Sequence, residues 1–127
     1  VMLSRLLYYS EEHDVGVHGV LRILDEARAG NQREQITGVL AFDRRWFLQC
    51  LEGSREVVTR KFLAIARDPR HTGVTLMAFE EVGERLFPDW SMGAINVIDR
   101  GSFHPPSMTA SSALDTLCGL QAAGATM

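Results

Sequence analysis

Gln49 lies in the middle of Phe47-Leu48-Gln49-Cys50-Leu51-Glu52-Gly53, an apolar, beta-prone run stopped by a glycine. Strand alternation puts Phe47, Gln49 and Leu51 on one face and Leu48 and Cys50 on the other. The amide therefore points where two hydrophobic side chains point, and left without hydrogen-bond partners it would cost roughly 1–3 kcal/mol. It offers an acceptor oxygen and a donor nitrogen. Reorientation or tautomerisation would change the bonds it offers without moving the backbone; the alternative is a purely structural network. Tyr8 shares parity with Leu6 and faces the core. An inward tyrosine fills space and bonds its hydroxyl to backbone, or it gives an electron and a proton to a nearby oxidant. Asn31 follows Gly30 at the end of a helical pattern, where it caps the helix or bonds the edge of a planar heterocycle with its two-sided amide. Trp90 and Met92 share parity, a pairing that ordinarily packs a core.

Other chemistries find little support. His13 and His18 are five apart, wrong for one helix face; His104 falls in a loop and His71 follows Arg70, so the four histidines give no metal site. No arrangement suggests a Ser/His/Asp or Cys/His nucleophile, and Gly-rich phosphate loops are missing. Cys50 and Cys118 have no metal spacing and read as reduced thiols of a cytoplasmic protein. The net charge of −3 and the lack of a basic run argue against nucleic acid or an anionic membrane as partner. No apolar run approaches the roughly 20 residues needed to span a bilayer, and no signal peptide is expected.

The elements that must position these residues follow from periodicity. The 127 residues, 46% hydrophobic and 23% charged, suit one ordinary globular domain. Leu3 to Ser10 reads as a first strand. A helix is expected from about Val15 to Ala29, with Val17, Val20, Leu21, Leu24 and Ala27 at helical spacing, Ile23 widening the stripe, and Gly30-Asn31 ending it. Ile36 to Phe42 and Trp46 to Leu51 form a hairpin around Asp43-Arg44-Arg45. A second helix opens at Gly53-Ser54, with Ser54 as N-cap, and stops near Arg67 before Pro69. Val74 to Val82 gives a fourth strand and Trp90 to Ile98 a fifth. Ser112-Ala113-Leu114-Asp115 resembles a capping box that starts a short last helix, followed by a tail expected to fray. The fold class is α+β: a ferredoxin-like β-α-β-β-α-β sheet with an additional strand and a short C-terminal helix. Residues 1–98 are expected to form the main unit and 99–127 a linker and helix capping the sheet.

Taken together, the motifs resemble the BLUF family of flavin-binding blue-light sensors. The resemblance runs from about Leu3 to Met92. It rests on Arg5-Leu6-Leu7-Tyr8-Tyr9-Ser10, on Ala27-Arg28-Ala29-Gly30-Asn31 leading into Ile36-Thr37-Gly38-Val39-Leu40, on the Gln49 strand, on Asp68-Pro69-Arg70-His71 and on Phe87-Pro88-Asp89-Trp90-Ser91-Met92. It implies a ferredoxin-like fold with a non-covalent flavin between the two helices: FAD, with FMN or riboflavin as alternatives. By motif position it implies Tyr8 as photochemical electron donor and Gln49 as the bridge to the flavin. Asn31 bonds the polar edge of the ring, with Arg70 and His71 close to that edge and Arg28 among the cofactor-binding residues. Ile23 and Ile65 sandwich the ring, and Phe47 lines the pocket. In the implied cycle Tyr8 gives an electron and then a proton, both return, and Gln49 is left with a stronger bond to the flavin C4 carbonyl. The change then passes to the strand holding Trp90 and Met92, either of which can stand beside Gln49.

The implied protein is not an enzyme, and its output is expected through a homo-oligomer or a separate protein partner. Two other readings compete. A small flavin-dependent redox enzyme would need a substrate cleft and a hydride or thiol source. A flavin-free ferredoxin-like binding module would leave Tyr8, Gln49 and Asn31 merely satisfying one another; its RNA-binding variety would need exposed aromatic and basic residues on the central strands.

Overall fold

In the computed structural model, which describes residues 2–12 and 16–123, the chain runs through five strands and three helices. They are β1 (Leu3–Glu12), α1 (Gly16–Glu34), β2 (Thr37–Phe42), β3 (Trp46–Ser54), α2 (Arg55–Arg67), β4 (His71–Val82), β5 (Gly93–Asn96) and α3 (Ala110–Ala122), with a 3-10 turn at Pro105–Ser107. The sheet order is β4-β1-β3-β2-β5. The first four strands are antiparallel neighbours in the ferredoxin-like order, and β5 joins the edge parallel to β2. The expected fold class is the one observed.

Two local devices set the register around Gln49. Asp43 accepts from the backbone N–H of Arg45 at 2.8 Å and of Trp46 at 2.7 Å, closing the β2–β3 hairpin so that Phe42 faces Phe47 and Leu40 faces Gln49. Gly38 lets the strands approach: a Cβ there would stand 2.0 Å from the Cys50 carbonyl oxygen. On the other side β1 pairs β3 so that Tyr8 lies opposite Gln49.

Two cores follow from strand alternation. On one face α1 and α2 cover Leu6, Tyr8, Leu40, Phe47 and Leu51 with Val20, Leu24 and Val58. On the other, Ala113 and Leu117 of α3 bury Leu7, Val39, Leu48 and Cys50. Both cysteines are free.

Several expected boundaries move. α1 does not stop at Ala29; it continues through Gly30 and Asn31 to Glu34, and Gln35 at φ 57° takes the left-handed position after it. Asn31 is therefore no cap. The roughly 1 kcal/mol cost of a glycine inside a helix is outweighed by the packing that buries Asn31 against the sheet. The expected start at Val15, and His13, lie outside the described residues, as do tail residues 124–127. Ser54 is the N-cap of α2 by position, but its side chain makes no capping bond. β4 begins at His71 rather than Val74. β5 spans only Gly93–Asn96, so Trp90 and Met92 precede it and strand parity does not apply to them. The capping box of α3 is formed by Thr109 and Ser112, one turn earlier than Ser112 to Asp115, because the helix starts at Ala110.

Candidate functional site

The amide at the centre of β3 is bonded on both sides. The Tyr8 hydroxyl donates to Gln49 Oε1, and Gln49 Nε2 donates to Met92 Sδ at 3.3 Å. Tyr8 is fully buried and Met92 nearly so. Burial, with a smaller contribution from Asp68, pushes the Tyr8 phenol well above its usual range. The phenol therefore stays protonated as donor, and Gln49 is fixed with its oxygen toward Tyr8 and its nitrogen toward the thioether.

This chain ends at a cleft of about 730 Å³, open mouth included, between the two helices that cover the sheet. Ile23 of α1 and Ile65 of α2 supply aliphatic walls, and Asn31, Gln49, His71 and Met92 bring polar or polarisable atoms to the lining. Asn31 is 1% exposed; its Nδ2 donates to the Ser91 carbonyl at 2.7 Å, while its Oδ1 is buried and has no hydrogen-bond partner. A buried acceptor without a donor costs about 1–3 kcal/mol, and here it belongs to the wall of an apolar cleft. A flat heterocycle with an N–H on its edge would satisfy it. The residues present fit a flavin ring: aliphatic side chains from opposite helices for its faces, and the Asn31 oxygen for a ring N–H.

His71 closes one end. Its Nδ1 lies 3.0 Å from Ser10 Oγ, and its ring meets Phe47 edge-on at 5.0 Å and Tyr8 at 6.5 Å between centroids. Burial lowers its pKa, against Asp68, which raises it, and together with Arg70, which lowers it. Arg70 is held by both oxygens of Asp68 and by Glu26 at 2.9 Å. That hydrogen bonding keeps the Asp68 carboxyl below its usual range and raises Arg70 further.

Of the residues singled out by sequence, Ile23, Asn31, Gln49, Ile65, Arg70, His71 and Met92 line one cleft. Tyr8 stands directly behind Gln49, and Phe47 is buried behind His71. Arg28 is turned elsewhere: its Nε donates to the Met92 carbonyl at 2.9 Å. Trp90 packs in the core on the opposite face of the sheet, its ring against Gly93, where a Cβ would come within 2.5 Å of it. It is Met92 that touches Gln49. The sequence reading gave no role to Ser10, Asp68 or Lys61, although the first two lie in the motifs it used. Ser10 shares strand parity with Tyr8 and was open to detection that way. Asp68 and Lys61 come to the cleft only when α2 and the turn after it pack beside α1.

The sequence model described as "Sensors of blue-light using FAD", the BLUF family, matches residues 3–93. The chain belongs to the BLUF family. It is 32% identical over 87 residues to the blue light- and temperature-regulated antirepressor BluF of Escherichia coli (strain K12), covering 68% of this chain and 22% of that protein. It is 31% identical over 105 residues to the photoactivated adenylate cyclase subunit beta-like protein FB of Euglena gracilis, covering 81% of this chain and 12% of the other. The chain thus spans about a tenth of the length of such photoactivated cyclase relatives. Among solved structures, the dark state of the BLUF protein BlrB superposes with a TM-score of 0.83 at 28% identity over 97% of both chains. The photo-activated state of BlsA gives 0.81 at 30% identity over 93% of both. As a BLUF domain the chain belongs to a family of flavin-binding sensors of blue light. Among the described residues no helix is long and apolar enough to cross a membrane.

Proposed function

We propose that this BLUF domain binds FAD, or the smaller FMN or riboflavin, non-covalently in the cleft between α1 and α2, and that Tyr8 and Gln49 convert blue light into a hydrogen-bond switch. The observation that carries the reading is the continuous chain Tyr8–Gln49–Met92 beside the unpaired Asn31 oxygen. The bound flavin supplies absorption of blue light and an excited, oxidising ring. Tyr8, protonated and already bonded to Gln49, gives up an electron and then its phenolic proton, and both return to it. Gln49 would accept the phenolic proton at Oε1 and release one from Nε2 toward the edge of the ring, and the return of a proton to Tyr8 would leave the amide as a tautomer or in a new orientation. Either product changes what Gln49 offers to Met92. Ile23 and Ile65 exclude water from the faces of the ring, and Asn31, His71 and Arg70 orient its polar edge.

Met92 directly precedes β5, so a changed Gln49 bond reaches the sheet edge. We place the output there and in α3, through contact with a second copy or a separate protein in the cytoplasm. The test is the absorption spectrum of the purified protein before and after a blue pulse, beside Gln49→Leu. The wild type is expected to show a flavin spectrum that shifts red and recovers in darkness, with the shift lost and the flavin retained in the variant. A colourless protein that takes up no added flavin, or a yellow one that bleaches instead of shifting, would sink the reading.

A further inference from the structure

The mouth of the cleft carries two cations of different standing. Arg70 is held through Nε and Nη2 by two carboxylates, Asp68 and Glu26. Lys61, on α2, reaches across to α1 and meets Glu34 Oε1 at 2.8 Å. That carboxylate is its partner among the described residues, whereas an ammonium has three donors to offer. The Lys61 side chain lines the cleft and stays 22% exposed. Its Nζ passes close over Gly30, where a Cβ would stand 3.2 Å away.

The chemistry of an isoalloxazine decides where the rest of a flavin must go. N10, which bears the ribityl chain, lies across the central ring from N5 and beside neither carbonyl. A ring that presents its N5 side to Gln49 turns its ribityl chain away from the sheet, toward the opening between the helices. Lys61 and Ile65 are four apart on α2 and share a face, about 6 Å apart along the axis. A chain leaving a ring packed on Ile65 therefore passes within reach of Lys61.

We propose that Lys61 exchanges Glu34 for the phosphate that FMN and FAD carry at the end of the ribityl chain, so that the cleft prefers phosphorylated flavins to riboflavin. The proposal rests on the photoreceptor reading above. Glu34 is then the internal competitor that holds Lys61 in place until a phosphate arrives. With a net charge of −3, the protein has no general positive field that would produce the same preference.

The test is equilibrium titration of the flavin-stripped protein with riboflavin, FMN and FAD, read by flavin fluorescence, at low and high salt, in the wild type, Lys61→Gln and Glu34→Gln. The wild type is expected to bind FMN and FAD about two- to fivefold more tightly than riboflavin, with the gap narrowing in salt. Lys61→Gln should close the gap without changing riboflavin affinity, and Glu34→Gln should widen it. Equal wild-type affinities, a Lys61→Gln variant that weakens all three flavins alike, or a Glu34→Gln variant that leaves the gap unchanged would overturn the role of Lys61 and leave the photoreceptor reading standing. Failure of all three flavins to bind the wild type would overturn both.

Discussion

His71 shows how burial, rather than sequence neighbours, sets the state of a single side chain. Its ring is packed against Ser10, Tyr8 and Phe47, with Asp68 and Arg70 the charged groups that face it, and burial holds its pKa below the usual 6.5. Above that value neither folded nor unfolded chain binds the proton, so the full stability is present. As pH falls below it the unfolded chain protonates first, and stability falls until pH passes the lower folded value. Asp68, held down by Arg70, adds its own loss only at a pH below its ordinary 3.8. Urea unfolding is therefore expected to show a lower midpoint at pH 5 than at pH 7, and a smaller difference in His71→Gln. An unchanged difference in the variant would remove His71 from the account.

The connection from β4 to β5 is the element on which the site depends, and it is tied at both ends. Glu52, fully buried on β3, accepts from the N–H of Phe87 at 2.9 Å, from that of Leu86 and from Arg5 Nε at 2.9 Å. Arg85 bonds the carbonyls of Glu52 and Gln35 and the hydroxyl of Thr37. Further along, Gly38 N–H donates to the Trp90 carbonyl, Asn31 to Ser91 and Arg28 to Met92. Consecutive carbonyls are thus held by β2 and α1, which fixes Met92 against Gln49. Glu52→Ala strands two backbone N–H groups and a guanidinium, and should cost about 3–5 kcal/mol in urea unfolding. Arg28→Ala removes one tether, worth about 1 kcal/mol, and should speed amide hydrogen exchange across Gly93–Asn96 while leaving β1 and β3 protected. Uniform exchange changes would mean that Arg28 acts on overall stability instead.

The whole molecule is a sheet with different tasks on its two faces. The face under α1 and α2 holds the cleft and the Tyr8–Gln49 pair, and the face under α3 is an apolar core. Leu117 is fully buried in that second core. Leu117→Ala should destabilise by about 2–5 kcal/mol, read by urea unfolding, without changing flavin affinity, because Leu117 belongs to the core on the face opposite the cleft. A matching loss of flavin affinity would show the two faces to be coupled.

Alternation along β3 was enough to put Gln49, Phe47 and Leu51 on one face, because a pleated strand admits only two. Motif order was enough to bring Tyr8, Asn31, Gln49 and the Trp90–Met92 segment to one family and one fold. Helical periodicity found α1 but not its end, since Gly30 and Asn31 look like a stop until Asn31 is buried and bonded to the distant Ser91 carbonyl. Parity misplaced Trp90 and Met92 because it assumed a strand where the chain makes turns. Their separation onto opposite faces comes from tethers to α1 and β2 and from the space over Gly93. Arg28 could not be told from a ligand-binding arginine by its motif, because its partner is a carbonyl 64 positions away. The sequence by itself determined which side chains face the core and what chemistry their types allow, since period and composition are local properties. Which of them touch was decided only by the tertiary structure, since contacts between distant segments depend on how helices and loops close over the sheet.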